Sequence, residues 1–235
     1  MTGPFHDIAA YVDLPRLTAL ALHPDGSRLV AVAQEPDGER ARYVSALWEI
    51  PLDGGEPVRL TRSDKGESAP AFLPDGTLLF TSSRPDADGT DDDAPALWAL
   101  PPAGEARVLV RRPGGLTGPV VARDSGAVVL GGSRLVQSSD ADDAERRDVR
   151  TKRKITAILH DGMPIRYWDH ELGVESTRLL LLAPGTDEPT DLAPAARFEL
   201  ENPVYSISAD GATVATRWRP RGRHGHLPEA VAVID

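Results

Sequence analysis

His23-Pro24-Asp25-Gly26-Ser27-Arg28-Leu29-Val30-Ala31-Val32-Ala33 decides the fold, because its plan returns as Leu73-Pro74-Asp75-Gly76-Thr77-Leu78-Leu79-Phe80-Thr81. In each copy a Pro-Asp-Gly turn leads into a short apolar run. From Asp25 to Asp75 is about fifty residues, and Ala46-Leu47-Trp48 and Ala96-Leu97-Trp98 keep the same step. Two independent landmarks in one register are an internal repeat. Repeats of this length made of short strands predict propeller blades.

Working outward, alternation and turn chemistry divide the first copy into strands at 17–22, 28–34, 43–50 and 57–61. Asp25-Gly26 predicts a tight hairpin, since Gly accepts positive φ and Asp tolerates it. The second copy gives strands at 68–73, 77–82, 95–100 and 105–111. A third begins at Leu116, turns at Arg123-Asp124-Ser125-Gly126, and continues at 127–131, 176–183 and 188–193. A fourth begins near Pro203, turns at Ala209-Asp210-Gly211, and supplies 212–218 and 229–234, one strand short of a complete blade. The expected architecture is all-β: a partial, about four-bladed propeller of four-stranded antiparallel blades. It forms a single domain over 1–235, with blades at 15–62, 66–112, 115–195 and 202–235. An antiparallel sandwich also shows short, evenly spaced strands, but has no reason to repeat Pro-Asp-Gly and Leu-Trp in phase. The matching positions of Trp48, Trp98 and Trp218 predict packing between blades.

The chain has 235 residues, 40% of them hydrophobic, enough to bury a sizeable core. Its 21 Gly and 21 Pro are dispersed at turn positions, as many-turned β structure requires. With no cysteine, disulfides and thiolate metal sites are excluded. The start, Met1 to Asp7, has neither a basic nor an apolar leader region, and no stretch reaches the length of a membrane span. A cytoplasmic location with no membrane partner is therefore expected. A net charge of −10 opposes nonspecific nucleic-acid binding, which needs a basic field.

Between the second and third strands of the third copy lies a long, partly helical insertion at 132–173, where the other copies have about ten residues. It opens acidic from Ser138 to Glu145, and Arg146 to Lys154 is strongly basic. That stretch predicts a solvated helix with intrahelical ion pairs. Its last part, His160 to His170, mixes apolar, aromatic and ionisable groups. Long loops on a rigid scaffold are more often functional than idle. Arg166, Tyr167, Trp168, Asp169 and His170 are therefore the candidate domain- or substrate-facing residues. Alternatively, Tyr167 and Trp168 plug the loop onto its blade while Arg166 and Asp169 pair.

Other clusters carry less. Asp86-Ala87-Asp88-Gly89-Thr90-Asp91-Asp92-Asp93 crowds oxygen ligands, but a calcium loop needs a set spacing closed by a bidentate Glu, and the flanks here read as strands. His224-Gly225-His226 offers two imidazoles with Glu229 as the nearest carboxylate, a poor metal site. His6, His160 and His170 are too dispersed to form a constellation. No metal or cofactor is expected.

The Pro-Asp-Gly turns, the Leu-Trp strands and the run from Lys152-Arg153-Lys154 to His160-Asp161-Gly162-Met163-Pro164-Ile165-Arg166-Tyr167-Trp168-Asp169-His170 together resemble the N-terminal propeller of prolyl-oligopeptidase-family serine peptidases, in particular the acylaminoacyl-peptidase-like branch. The resemblance covers essentially the whole chain, from Phe5-His6-Asp7-Ile8 onward. It implies a seven- or eight-bladed propeller that caps an α/β-hydrolase active site and restricts entry to short peptides. The hydrolase domain itself is absent from this chain.

The sequence contains no Gly-x-Ser-x-Gly elbow, the strained turn that exposes a hydrolase serine. Gly131-Gly132-Ser133-Arg134-Leu135 lacks the closing glycine, and Asp124-Ser125-Gly126 reads as a hairpin turn, so no catalytic residue is expected here. The implied partners are the missing blades and the hydrolase domain, in cis or as a companion chain, with peptides bound only by the complete enzyme. A stand-alone propeller-like interaction module is the alternative. Open blade faces and edges also predict self-association.

Overall fold

A computed structural model describes residues 6–87, 89, 93–160, 165–167, 170–196, 199–200, 203–220 and 228–235; at 167, 170 and 171 it describes the backbone only. After a short helix α1 (Ile8–Val12), four antiparallel sheets follow one another along the chain. Blade 1 is β1 (Arg16–Leu22), β2 (Leu29–Pro36), β3 (Tyr43–Ile50) and β4 (Val58–Arg59), in that spatial order. Blade 2 repeats it with β5 (Ser68–Phe72), β6 (Leu78–Ser82), β7 (Ala96–Leu100) and β8 (Arg107–Val110).

Blade 3 consists of β9 (Leu116–Val121), β10 (Val128–Leu135), β13 (Glu175–Leu182) and β14 (Thr190–Asp191). Its insertion carries helix α2 (Asp143–Lys152) and the strands β11 (Arg166–Tyr167) and β12 (His170–Glu171). Blade 4 has three strands among the described residues: β15 (Tyr205–Ile207), β16 (Val214–Trp218) and β17 (Ala230–Ile234). Each sheet takes its strands from one repeat with none interleaved, so the fold is a partial β-propeller and not a sandwich.

The repeated turn has a definite chemistry. The Gly26 N–H donates to the His23 carbonyl at 2.8 Å, and the Ser27 N–H to Asp25 Oδ1 at 2.8 Å. Blade 2 repeats both bonds, Gly76 to Leu73 and Thr77 to Asp75, and blade 4 does so with Gly211 to Ser208 and Ala212 to Asp210. In blade 3 the Ser125 hydroxyl accepts from the Ala127 N–H instead. Positive φ falls on Gly26, Gly76, Gly126 and Gly211 and not on the preceding residue. The tight hairpin expected at Asp25-Gly26 forms, with Leu22 opposite Leu29 across it. Pro and Asp sit inside the turn, Gly closes it in the left-handed region, and Asp serves as a hydrogen-bond acceptor.

Contacts group the chain into two units, residues 1–109 and 110–235. In the first, blade 1 turns Ala19, Ala21, Val30, Val32, Leu47 and Leu60 toward blade 2, which answers with Phe72, Leu78, Phe80 and Trp98. Full burial of a side chain such as Leu47 contributes about 1.5–3 kcal/mol. In the second, blade 3 offers Val129, Leu179 and Leu181, and blade 4 offers Tyr205, Ile207, Val214, Trp218 and Ile234. The Tyr205 hydroxyl donates to the Gly118 carbonyl at 2.7 Å, and burial pushes its pKa up.

Every aromatic ring in these two cores belongs to the later blade of its pair. Trp98 and Trp218 therefore pack between blades as expected. Trp48 is the correction. It is cross-strand partner to Ala31, on the face of blade 1 turned away from blade 2, and is only half-buried. Its indole N–H is buried without a hydrogen-bond partner, whereas that of Trp98 donates to the Ser82 carbonyl at 3.1 Å.

Two buried ionic groups tie strand ends to linkers. Glu67, between blades 1 and 2, has a fully buried side chain that accepts from the Thr61 hydroxyl at 2.8 Å and the Ser63 N–H at 3.2 Å. Burial outweighs these bonds and the Arg84 charge at 3.8 Å, and raises its pKa. Arg178 on β13 is 1% exposed and reaches Asp191 at 2.5 Å and the carbonyls of Ala193 and Ala196 at 2.6 and 2.5 Å. It fixes the path out of blade 3.

Candidate functional site

The insertion is pinned to blade 3 by one aspartate. The Asp143 side chain, 4% exposed, accepts from the Leu135 N–H at 2.9 Å, the Ser138 hydroxyl at 2.6 Å and Arg147 Nε at 2.8 Å. Burial works against its ionisation, but hydrogen bonds from Arg147, Ser138 and Leu135 outweigh it and hold the carboxyl below the ordinary aspartate value. Arg147 also reaches Glu175 at 2.5 Å, and Glu175 accepts from the Ser133 hydroxyl. The helix is thus tied at once to the end of β10 and the start of β13.

The helix itself follows from local rules. Asp143 and Glu145 lie in its first turn and Arg150 and Lys152 in its last, each complementing the helix dipole. Arg146–Asp142, Arg147–Asp143 and Lys152–Asp148 are i,i+4 ion pairs, as expected. Hydrogen bonds from Ser139 and Arg146 bring Asp142 down to about 2. The expected fully solvated helix is corrected at one position, because Asp143 is buried against the blade. After Lys154, whose φ is +52°, the chain turns back along the helix. There the Arg150 guanidinium donates to the carbonyls of Ile155 and Ala157 at 3.1 and 3.0 Å.

Helix and returning segment enclose a cleft of about 740 Å³. Leu135, Val149, Ile155, Ile158 and Val174 make it apolar, with Glu145, Arg146 and His160 also lining it. A second hollow of about 330 Å³ brings His160 beside Ile165 and Arg166. Asp142 and Arg150 also line the larger cleft, so its apolar floor has a charged rim.

Among the proposed site residues, Arg166 is exposed, and Arg166–Tyr167 pairs with His170–Glu171 in a two-stranded hairpin that places Tyr167 opposite His170. Trp168 and Asp169, and with them the expected Arg166–Asp169 pair, lie outside the described residues. So do His224 and His226, and Asp88, Thr90, Asp91 and Asp92 of the acidic loop. Among the described residues no three His, Asp or Glu side chains gather as a metal site.

The two serines weighed as nucleophiles have structural partners. Ser133 donates to the Glu175 carboxylate, and Ser125 accepts from a turn N–H. Sequence reasoning missed Asp143, Arg147 and the apolar cleft. The Asp143/Arg147 spacing and the Ile155, Ile158, Leu159 cluster after the basic run were the available signals.

No protein-family model and no curated protein matches the sequence. Solved structures do match. An acylaminoacyl peptidase in complex with Z-Gly-Gly-Phe-chloromethyl ketone aligns at a TM-score of 0.64 and 11% identity, over 96% of this chain and 32% of that one. The uncomplexed Pyrococcus horikoshii acylaminoacyl peptidase gives 0.62 and 12%, over 94% and 31%. TolB from Acinetobacter baumannii gives 0.56 and 16%, over 94% and 41%. The chain spans about a third of the length of the acylaminoacyl peptidases it matches. At these identities the likeness is one of fold. With its four meandering blades, the chain has a β-propeller fold similar to those of the acylaminoacyl peptidases and TolB.

Proposed function

We propose that this chain is the non-catalytic propeller portion of a serine peptidase similar to acylaminoacyl peptidase, capping an α/β-hydrolase active site and limiting access to short peptides. The alignment carries the proposal: it takes in 96% of this chain and only 32% of the peptidase. In this reading the insertion, with its apolar cleft and the hairpin carrying Arg166 and His170, faces the hydrolase domain or the entering peptide. The remaining blades and the hydrolase belong to the same polypeptide or to a companion chain, and the complete enzyme works in the cytoplasm.

The test begins with the DNA adjoining the coding sequence. A neighbouring hydrolase reading frame with a Gly-x-Ser-x-Gly elbow supports the proposal; co-expressed, it should cleave short peptides and lose its length limit when this chain is omitted. The cleft also favours a second reading, a stand-alone interaction module, which an unrelated neighbouring gene would support.

A further inference from the structure

The cleft between α2 and the returning segment has a charge pattern that its own residues leave unbalanced. Arg146 on its rim is neutralised by Asp142, the N-cap of the same helix. Arg150 donates to the carbonyls of Ile155 and Ala157, and among the described residues no carboxylate pairs with it. Arg153 and Lys154, both exposed, are two more cations without a carboxylate partner among the described residues. They join the helix to Ile155, where the wall formed by the returning segment begins, so the three cations gather at one end of the cleft. Glu145, the unpaired acid of the lining, lies toward the helix N-terminus, about 7.5 Å from Arg150 along the axis.

Between those ends the walls are apolar. Val149, Ile155, Ile158 and Leu159 line the cleft and are exposed to solvent. A volume of about 740 Å³ is that of a small-ligand site, room for a few side chains and not for the face of a second domain. Three full positive charges outweigh the roughly half negative charge of a helix C-terminus, so that end of the cleft attracts an anion. The net charge of −10 on the whole chain opposes an acidic ligand only at a distance, because salt screens charges beyond about 8 Å.

We propose that the cleft is a subsite for an acidic, apolar peptide. A bulky aliphatic side chain enters between α2 and the returning segment, and a neighbouring carboxylate is met by Arg150, Arg153 and Lys154. The inference rests on the peptidase reading for the source of that peptide, the substrate entering the enzyme, and gives the substrate a preferred composition. Binding is measured on this chain alone, so its failure is distinct from the absence of a neighbouring hydrolase reading frame.

The test is a nitrogen-15 NMR titration of the 235-residue chain with three peptides: acetyl-Glu-Leu-Leu-Glu-amide, acetyl-Lys-Leu-Leu-Lys-amide and acetyl-Glu-Ser-Ser-Glu-amide. The first, with carboxylates on both sides of its leucines, should bind at least about tenfold more tightly than either of the others. Its shift changes should centre on residues 145–160, with 135–137 and 173–174. Added salt should weaken it. Reversing the charge with Arg153→Glu and Lys154→Glu together should reverse the order of the glutamate and lysine peptides. Val149→Ser should weaken the glutamate-leucine peptide about fivefold, since the methyl groups that meet its leucine are lost. All three positions are exposed, so far-UV circular dichroism should show both variants folded. Equal binding of the three peptides, binding of none, shifts centred elsewhere, or an unchanged order in the charge-reversed variant would each overturn the proposal.

Discussion

Replacing Asp143 by alanine should release the insertion from blade 3 while leaving the blades folded. The carboxylate is almost fully buried and holds three donors. Truncation strands the Leu135 N–H, a loss of about 1–3 kcal/mol, and the Arg147 head loses one of two anionic partners. Glu175 remains for Arg147, which keeps the total at about 2–3 kcal/mol and below the cost of fully orphaning a buried charge. Since the anchor is local, the effect belongs to opening of the α2 region. Amide exchange across 138–155 should accelerate by about 30- to 150-fold, with little change in the core strands β2, β6 and β10.

Asp143→Asn keeps an acceptor for Leu135 and should cost about half as much. The pH dependence has a definite sign. The folded carboxyl lies below its ordinary value, so its stabilisation is complete above the unfolded-state pKa and is lost as pH falls through the lowered folded-state one. Wild type and D143A should therefore converge in acid. Equal exchange in the two proteins at neutral pH would refute the anchor.

Gly26→Ala meets only the positive-φ penalty of about 1–2 kcal/mol, since nothing lies near the added carbon, whereas in Gly211→Ala that carbon falls 2.5 Å from Ser125 Oγ. Calorimetry should find the second variant clearly less stable. Arg178→Ala takes away the donor to the Ala196 carbonyl and the near cation of Asp191, which keeps the Ala193 N–H and Arg134 at 3.7 Å, and should cost about 2–4 kcal/mol in urea melts, with Arg178→Lys a poor rescue because one ammonium does not span those acceptors. Burial raises the pKa of Glu67, so its contribution is most favourable in acid and declines as pH climbs from about 4.5 through the raised value. Glu67→Gln should flatten that part of the stability profile, and an unchanged slope would reassign it to another group. A fluorophosphonate probe should leave wild type, Ser133→Ala and Ser125→Ala equally unlabelled; labelling of wild type that Ser133→Ala abolishes would restore a nucleophile to this chain.

The sequence by itself determined the blades. Pro-Asp-Gly turns and alternating strands are local devices, and β3 at Tyr43–Ile50 appears where alternation put it. Strand ends were less legible, because pairing and not propensity sets them; β2 runs on through Glu35 and Pro36 since Val44 and Tyr43 lie opposite to hold them. The i,i+4 ion pairs of α2 were likewise readable, being matters of spacing.

Only the tertiary structure decided what each side chain faces. Trp48 and Trp98 stand at equivalent strand positions, yet one is capped by a neighbouring sheet and the other is not, because burial depends on what packs above a residue. The same reason hid the role of Asp143. Its charge pattern marks a helix, but its worth comes from a blade edge that sequence distance keeps out of view until the insertion folds back.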